Sequence, residues 1–162
     1  MEISPAEQRS GEILDRIKSV FSAKGFDGAS MQDLAHAAGM SAGNFYRYFP
    51  SKNAIIEALA QRNLERMEAD FDKVRRDDNP RRAFREMLHS RVAVLACEDA
   101  PIWAEINAAS FRKPEIAALK KRMEDHVASN LVAMFAHIGG HDLKDVERLF
   151  HVHARLIILL VQ

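Results

Sequence analysis

The stretch SMQDLAHAAGMSAGNFYRYFPSKNAI, residues 30–55, decides the fold. Its first half is rich in alanine, glycine and serine, and its second half places four aromatic residues within five positions. Two short helices can cross steeply through a tight turn only where small residues let their backbones approach. Ala35 and Ala38 supply small residues, and Gly39 tolerates the positive φ that the turn requires. The stretch therefore predicts a helix-turn-helix.

The second helix of this motif is predicted to present a face with little side-chain bulk. Phe45 and Phe49 lie four positions apart, so both can be buried on one side. The opposite side then carries side chains that are mostly small or polar. Its members are Ser41, Ala42, Gly43, Asn44, Tyr46 and Arg47.

Such a face suits the major groove of duplex DNA. A side-chain-poor helix tip can come close to base edges, where Asn44 or Ser41 can hydrogen-bond and Ala42 can contact a thymine methyl group. Tyr46, Tyr48 and Lys52 suit contacts to phosphate. The N-terminus of the next helix, beyond Ser51, adds backbone donors and a favourable dipole.

The rest of the chain is predicted to be helical. Apolar residues recur every three or four positions, and no segment alternates convincingly every second position. A first helix around residues 13–21 is expected to close at Gly25, and Ser30 and Ser41 are expected to cap the next two. The later helices are predicted to start at Ser51, Pro80, Pro101, Pro114 and Asp142.

Composition narrows the class of protein. The 162 residues are 48% hydrophobic, which is ample for a core, and 23 basic residues balance 23 acidic ones. Attraction to a polyanion must therefore come from a local surface. No acidic residue occurs between Asp33 and Glu57. The same segment contains Arg47, Lys52 and the chargeable His36.

The single cysteine and the termini predict a cytoplasmic protein. Cys97 alone cannot form an internal disulfide framework, and we expect it to be a small buried apolar residue. The polar N-terminus MEISPAEQRSGE lacks the apolar core of a signal peptide. The terminal LIILLVQ is shorter than the about 20 apolar residues that cross a bilayer, so no membrane partner is expected.

An enzyme built on a helical bundle is the alternative class. We find no nucleophile elbow, no glycine-rich phosphate loop and no paired Glu-x-x-His iron site in the sequence. His151 and His153 diverge on a helix, and His126, His137 and His141 form no zinc-binding pattern. No catalytic residue, metal or cofactor is therefore predicted.

Residues 13–59, ILDRIKSVFSAKGFDGASMQDLAHAAGMSAGNFYRYFPSKNAIIEAL, resemble the DNA-binding domain of the TetR family of transcriptional regulators. The resemblance implies an all-α homodimer with a three-helix DNA-binding domain in residues 1–52. Residues 53–162 would then form a helical domain for effector binding and dimerisation. It also implies operator contacts from Ser30, Gln32, Ser41, Gly43, Asn44, Tyr46, Tyr48 and Lys52.

The expected function is a repressor that binds a pseudo-palindromic operator and is released by a small apolar or aromatic effector. The alternative is a DNA-binding or interaction module of the same fold without effector control. Aromatic and thioether side chains can line an apolar pocket, although such side chains at helical spacing are also typical of plain core. The candidate pocket residues are Met87, Trp103, Phe111, Met123 and Met134.

Dimerisation is expected through the last helix. The apolar row that would pair across the dimer consists of Phe150, His153, Ile157 and Leu160. In the TetR family two helices of each subunit usually form this interface, and the sequence ends at Gln162 within the first of them. We therefore expect either a shortened chain or an atypical dimer.

Overall fold

The computed structural model of the chain describes residues 5–94 and 100–161, with side chains in residues 8–91 and 102–159. In these residues it contains eight helices and no strand, which confirms the predicted all-α class. The helices are α1 (Pro5–Gly28), α2 (Met31–Ala37), α3 (Ala42–Tyr48), α4 (Lys52–Arg76), α5 (Pro80–Val94), α6 (Ala100–Ser110), α7 (Pro114–Gly139) and α8 (Leu143–Val161).

Most helix starts follow the predicted capping chemistry. The Asn79 side chain accepts the Arg82 N–H at 3.1 Å, and α5 begins at Pro80. Helix α7 begins at Pro114 as predicted, whereas α6 begins at Ala100, one residue before the predicted start. Asp142 accepts the Lys144 N–H at 2.9 Å immediately before α8.

Gly25 ends the first helical segment of α1, as the sequence predicts. Its backbone adopts φ 70° and ψ 169°, and a short helical turn continues to Gly28 beyond this kink. Without a Cβ atom glycine adopts positive φ at little cost, so the chain can turn sharply and resume a helical turn. The Ala29 N–H then donates to the Gly25 carbonyl at 3.2 Å.

The chain divides into two compact units. Unit 1 comprises Met1–Arg62 with Pro101–Ala117, and unit 2 comprises Asn63–Ala100 with Ala118–Gln162. Helices α4 and α7 therefore each contribute residues to both units. The predicted functional boundary after Lys52 falls inside unit 1 and stays a prediction.

Unit 1 encloses an aromatic and aliphatic core. The rings of Phe21 and Phe26 stack with centroids 6.0 Å apart, and those of Phe45 and Phe49 lie 5.7 Å apart. Helices α1 and α4 are also joined by a two-pronged ion pair, since the Arg62 guanidinium donates to both Asp15 carboxylate oxygens at 2.9 Å. The buried aliphatic residues of unit 1 include Ile13, Ile17, Leu34, Ile55, Ile56, Ile106 and Ile116.

Unit 2 has its own core, to which α4, α5, α7 and α8 contribute. The Phe84 and Phe135 rings meet edge to face at 5.9 Å. The Arg91 guanidinium donates to Asp70 at 3.0 Å and links α5 to α4. The buried residues of this core are Phe71, Val74, Phe84, Leu131, Val132, Met134, Ala136, Val146, Ala154 and Ile158. The predicted burial of Cys97 concerns a position outside the described residues.

We predict opposite stability effects for alanine at two glycines of the helix-turn-helix. Gly39 has φ 68°, which costs an alanine roughly 1–2 kcal/mol, so Gly39→Ala should destabilise the protein. Gly43 lies in α3, where no atom in the described part of the chain comes within 4 Å of an added Cβ atom, so Gly43→Ala should be neutral or stabilising by up to about 1 kcal/mol. Urea unfolding of both variants measures the difference. Equal stabilities would contradict the turn geometry.

Candidate nucleic-acid interface

Helix α2 ends in the hydrogen-bonded turn that joins it to α3. The Met40 N–H donates to the Ala35 carbonyl, and the Gly39 N–H donates to the His36 carbonyl, both at 2.9 Å. This pair of bonds around a positive-φ glycine satisfies carbonyls that a helix end would leave unpaired. Ala35 and Ala38 are buried at 2% and 1% exposure, as close approach of the two helices requires. The predicted helix-turn-helix is confirmed.

Both helices of the motif start with the predicted serine caps. The Ser30 hydroxyl accepts the Asp33 N–H at 3.1 Å while the Asp33 carboxylate accepts the Ser30 N–H at 2.9 Å, which completes a capping box. The Ser41 hydroxyl accepts the Asn44 N–H at 3.4 Å. The Ser30 hydroxyl also donates its hydrogen to Asp33. It therefore has less hydrogen-bonding capacity left for another partner than the Ser41 hydroxyl has.

The tip of α3 is exposed. Phe45 and Phe49 are buried at 0% and 3% exposure, so the opposite side of α3 faces outward. No atom of the described residues lies within 4 Å of a Cβ atom placed on Gly43. Tyr46 and Tyr48 are 47% and 38% exposed. The exposed residues at this end of the motif are Ser30, Gln32, Ser41, Ala42, Gly43, Asn44, Tyr46, Arg47 and Tyr48.

Lys52 has protein partners that the sequence did not predict. Its ammonium donates to the carbonyls of Phe26 and Asp27 at 2.7 and 3.2 Å, and it lies 5.0 Å from the centroid of the Phe26 ring. These bonds hold the ammonium at the start of α4. An ammonium group has three N–H donors, so one remains for an anion.

Three comparisons place these features among known proteins. Residues 13–59 match the sequence profile described as "Bacterial regulatory proteins, tetR family". The uncharacterized HTH-type transcriptional regulator YvdT of Bacillus subtilis is 46% identical over 61 residues, which are 36% of this chain and 31% of YvdT. The HTH-type transcriptional regulator UidR of Escherichia coli is 30% identical over 123 residues, or 74% of this chain and 59% of UidR.

The likeness extends to a solved structure over nearly the whole chain. Salmonella enterica GusR superposes with a TM-score of 0.70 at 26% identity, covering 99% of this chain and 82% of that chain. Residues 13–59 of the chain belong to the tetR family of bacterial regulatory proteins. Members of this family are transcriptional regulators rather than enzymes, which is the class that the sequence predicts. The chain matches less than two thirds of the length of YvdT and of UidR.

Two cationic side chains that the sequence did not predict support this tetR-family motif. The Arg16 guanidinium donates to the Ala38 carbonyl at 3.3 Å, beside the turn. The Lys24 ammonium donates to Asp33 at 2.7 Å. Neither pairing has a local signal, because the partners lie 22 and 9 positions apart on different helices.

The predicted effector residues of the chain fall in both units. Met87, Met123 and Met134 belong to unit 2, and Trp103 and Phe111 belong to unit 1. Met134 is 1% exposed in the core of unit 2, and Met87 packs against that core. Phe111 is 88% exposed, which places it at the surface of unit 1. Their role in effector binding stays a prediction.

Of the predicted dimer residues, Phe150 and His153 are exposed and Ile157 is partly buried. The Phe150 ring lies 5.7 Å from that of Phe135, and the His153 ring lies 5.3 Å from that of Phe150. Ile157 packs against the core of unit 2, and the Leu160 side chain lies outside the described residues. A second row on α8, which sequence reasoning missed, is exposed: Leu149, Val152, Leu156 and Leu159.

No helix among the described residues is both long and apolar enough to span a membrane. The helix with the strongest apolar face, α8, has 19 residues and includes the charged side chains Lys144, Asp145, Glu147, Arg148 and Arg155.

We predict an acid-dependent contribution from the α2 capping box. The Lys24 ammonium, with the N–H and hydroxyl of Ser30, holds the pKa of Asp33 well below its usual range. Because the folded pKa is lower than the unfolded value of about 3.9, this stabilisation is complete above the unfolded pKa and is lost as pH falls. The stability gap between wild type and Asp33→Asn should therefore narrow in acid.

Urea unfolding between about pH 7 and about pH 3 measures this gap. Asp78→Asn is the matched control, since the Asp78 carboxylate has no hydrogen bond or ion pair among the described residues. A gap that stays constant or widens in acid would show that the ionised Asp33 does not stabilise the fold.

Proposed function

We propose that this transcriptional regulator binds a pseudo-palindromic operator as a homodimer, acts as a repressor and is released by a small-molecule effector. The observation that carries the proposal is the uncovered tip of α3, residues 41–44, mounted on the buried Phe45 and Phe49. A helix that lacks side-chain bulk at its N-terminal end can enter a major groove and bring its polar groups to base edges.

Within this proposal the predicted DNA-contacting residues divide into two groups. Ser41, Ala42, Gly43 and Asn44 meet the bases, because they occupy the N-terminal end of α3. The remaining residues position the protein on the phosphate backbone. They are Ser30, Gln32, Tyr46, Arg47, Tyr48 and Lys52.

The charges around α3 favour a polyanion. Residues 34–56 contain no aspartate or glutamate, although the whole chain is neutral. Arg47 is exposed on α3, and within the described part of the chain its guanidinium has no hydrogen bond or ion pair. A basic group that has no internal partner is available to phosphate, and its attraction is screened by salt.

The α8 helix supports dimerisation. Leu149, Val152, Leu156 and Leu159 follow three-four-three spacing and are 50–70% exposed. Apolar side chains at this spacing form the seam of paired helices. We place the centre of the proposed interface on this row, with Phe150 and His153 beside it, because Ile157 faces the core of unit 2. Two such subunits would present their α3 helices to successive major grooves, about 34–36 Å apart.

Effector control is the second part of the proposal. An effector that binds the DNA-incompetent state more tightly by about 1–3 kcal/mol would lower operator occupancy appreciably. Met87, Trp103, Phe111, Met123 and Met134 remain the proposed pocket residues. Of these, Phe111 has the weakest support because of its exposure. The alternative is a DNA-binding module without effector control. Its affinity for the operator would stay the same in the presence of every small molecule screened.

Footprinting on the DNA upstream of the protein's own gene, across a salt series, tests operator binding. We predict that Lys52→Gln weakens binding to all sequences. It should also make the slope of log K against log salt shallower by about 1, the change expected for the loss of one phosphate contact. Asn44→Ala should instead change which bases are preferred, because Asn44 lies at the tip of α3. Wild-type affinity and preference in both variants would contradict the assigned surface.

At micromolar protein concentration we expect the wild type to be a dimer and the Leu156→Glu variant to be a monomer. Leu156 is 50% exposed, so the substitution leaves the core of unit 2 intact but places a charge in the proposed seam. Sedimentation velocity measures the change. His151→Glu, at another exposed position of α8, should remain dimeric. A monomeric wild type, or a dimeric Leu156→Glu variant, would contradict this interface.

A further inference from the structure

The turn between α1 and α2 is held by a side chain from a distant part of the chain. At the Gly25 kink the helical ladder is interrupted, so backbone groups beside it need other partners. The Phe26 N–H donates to Glu105 Oε2 of α6 at 2.9 Å, across 79 positions of sequence. A Cβ atom on Gly25 would lie only 3.0 Å from that oxygen, so the glycine also makes room for the carboxylate.

Two cationic residues just before α7 contact the same turn. The Asp27 carboxylate pairs with Arg112 at 2.8 Å and with Lys113 at 3.2 Å, and these cations hold the pKa of Asp27 below its usual range. The Lys113 ammonium lies 4.7 Å from the centroid of the Phe26 ring. Residues 101–117 are therefore an integral part of unit 1 and support the turn from outside the sequence motif.

Phe26 is also the residue that holds Lys52. Its N–H is bound by Glu105, its carbonyl accepts the Lys52 ammonium at 2.7 Å, and its side chain is 1% exposed. The Glu105 carboxylate and the Lys52 ammonium therefore bind opposite backbone groups of one buried residue. Removing the Glu105 acceptor would leave a part-buried N–H without its protein partner, and this cost favours a shift of the turn.

We propose that Glu105 is a positioning residue for DNA binding, which holds Lys52 at the start of α4 through the backbone of Phe26. This inference rests on the proposed function, in which Lys52 contacts a phosphate. A cation that is already held in place loses less conformational freedom on binding than a free lysine side chain. Glu105 itself is not expected to touch DNA, because its carboxylate is engaged with Phe26.

The test compares two substitutions of Glu105 in the full chain on one operator DNA across a salt series. Glu105→Gln keeps an oxygen that can accept the Phe26 N–H, and it should retain the wild-type affinity and salt slope. Glu105→Met has similar length but no strong acceptor, and it should bind several-fold more weakly with a slope reduced by about one contact, like Lys52→Gln. Adding Glu105→Met to the Lys52→Gln variant should cause no further loss of DNA affinity.

A merely structural role would lower the melting temperature of Glu105→Met and leave its salt slope unchanged. That result, or additive losses in the double variant, would overturn the positioning role. Glu147→Gln, on α8, controls for the loss of one negative charge and should bind as wild type. If Glu105→Met does not fold, Glu105→Ala is the second variant without an acceptor, and the same criteria apply.

The two proposals fail differently. Absence of wild-type binding at every salt concentration would overturn the proposed function. Normal wild-type binding and a reduced slope in Lys52→Gln, together with an unchanged slope in the acceptor-free Glu105 variants, would overturn only the inference about Glu105.

Discussion

The close approach of α2 and α3 is the constraint on which the rest of the interface depends. Ala35 and Ala38 are buried where a larger residue would push the helices apart, and Gly39 takes the positive φ that turns the chain. Once this angle is set, Phe45 and Phe49 must face the core of unit 1. The small side chains on the other side of α3 are then exposed as a consequence of packing.

The interface is supported by residues far outside the helix-turn-helix. Arg16 binds the carbonyl of Ala38, Arg62 joins α1 to α4, and Glu105 binds the turn that carries Phe26. The partners in these contacts lie 22, 47 and 79 positions apart along the chain. Unit 1 is therefore larger than the segment that matches the family profile, residues 13–59.

Helix α8 shows why an apolar pattern alone does not identify an interface. Its apolar side chains cover more than one face, and two rows follow the spacing of three and four. One row is Phe150, His153 and Ile157, and the other is Leu149, Val152 and Leu156. In the structure Ile157 packs on the core of unit 2, while the second row is exposed. The choice depends on how the helix is rotated, and tertiary contacts set that rotation.

The sequence by itself determined the all-α class, the serine and proline helix starts and the helix-turn-helix, because these depend on neighbours within about four positions. It also predicted which side of α3 is buried. Only the tertiary structure decided that Lys52 binds Phe26, that Glu105 supports the same residue and that α8 exposes its second apolar row. These contacts join residues that are distant along the chain, and no local propensity encodes which of many compatible partners will meet.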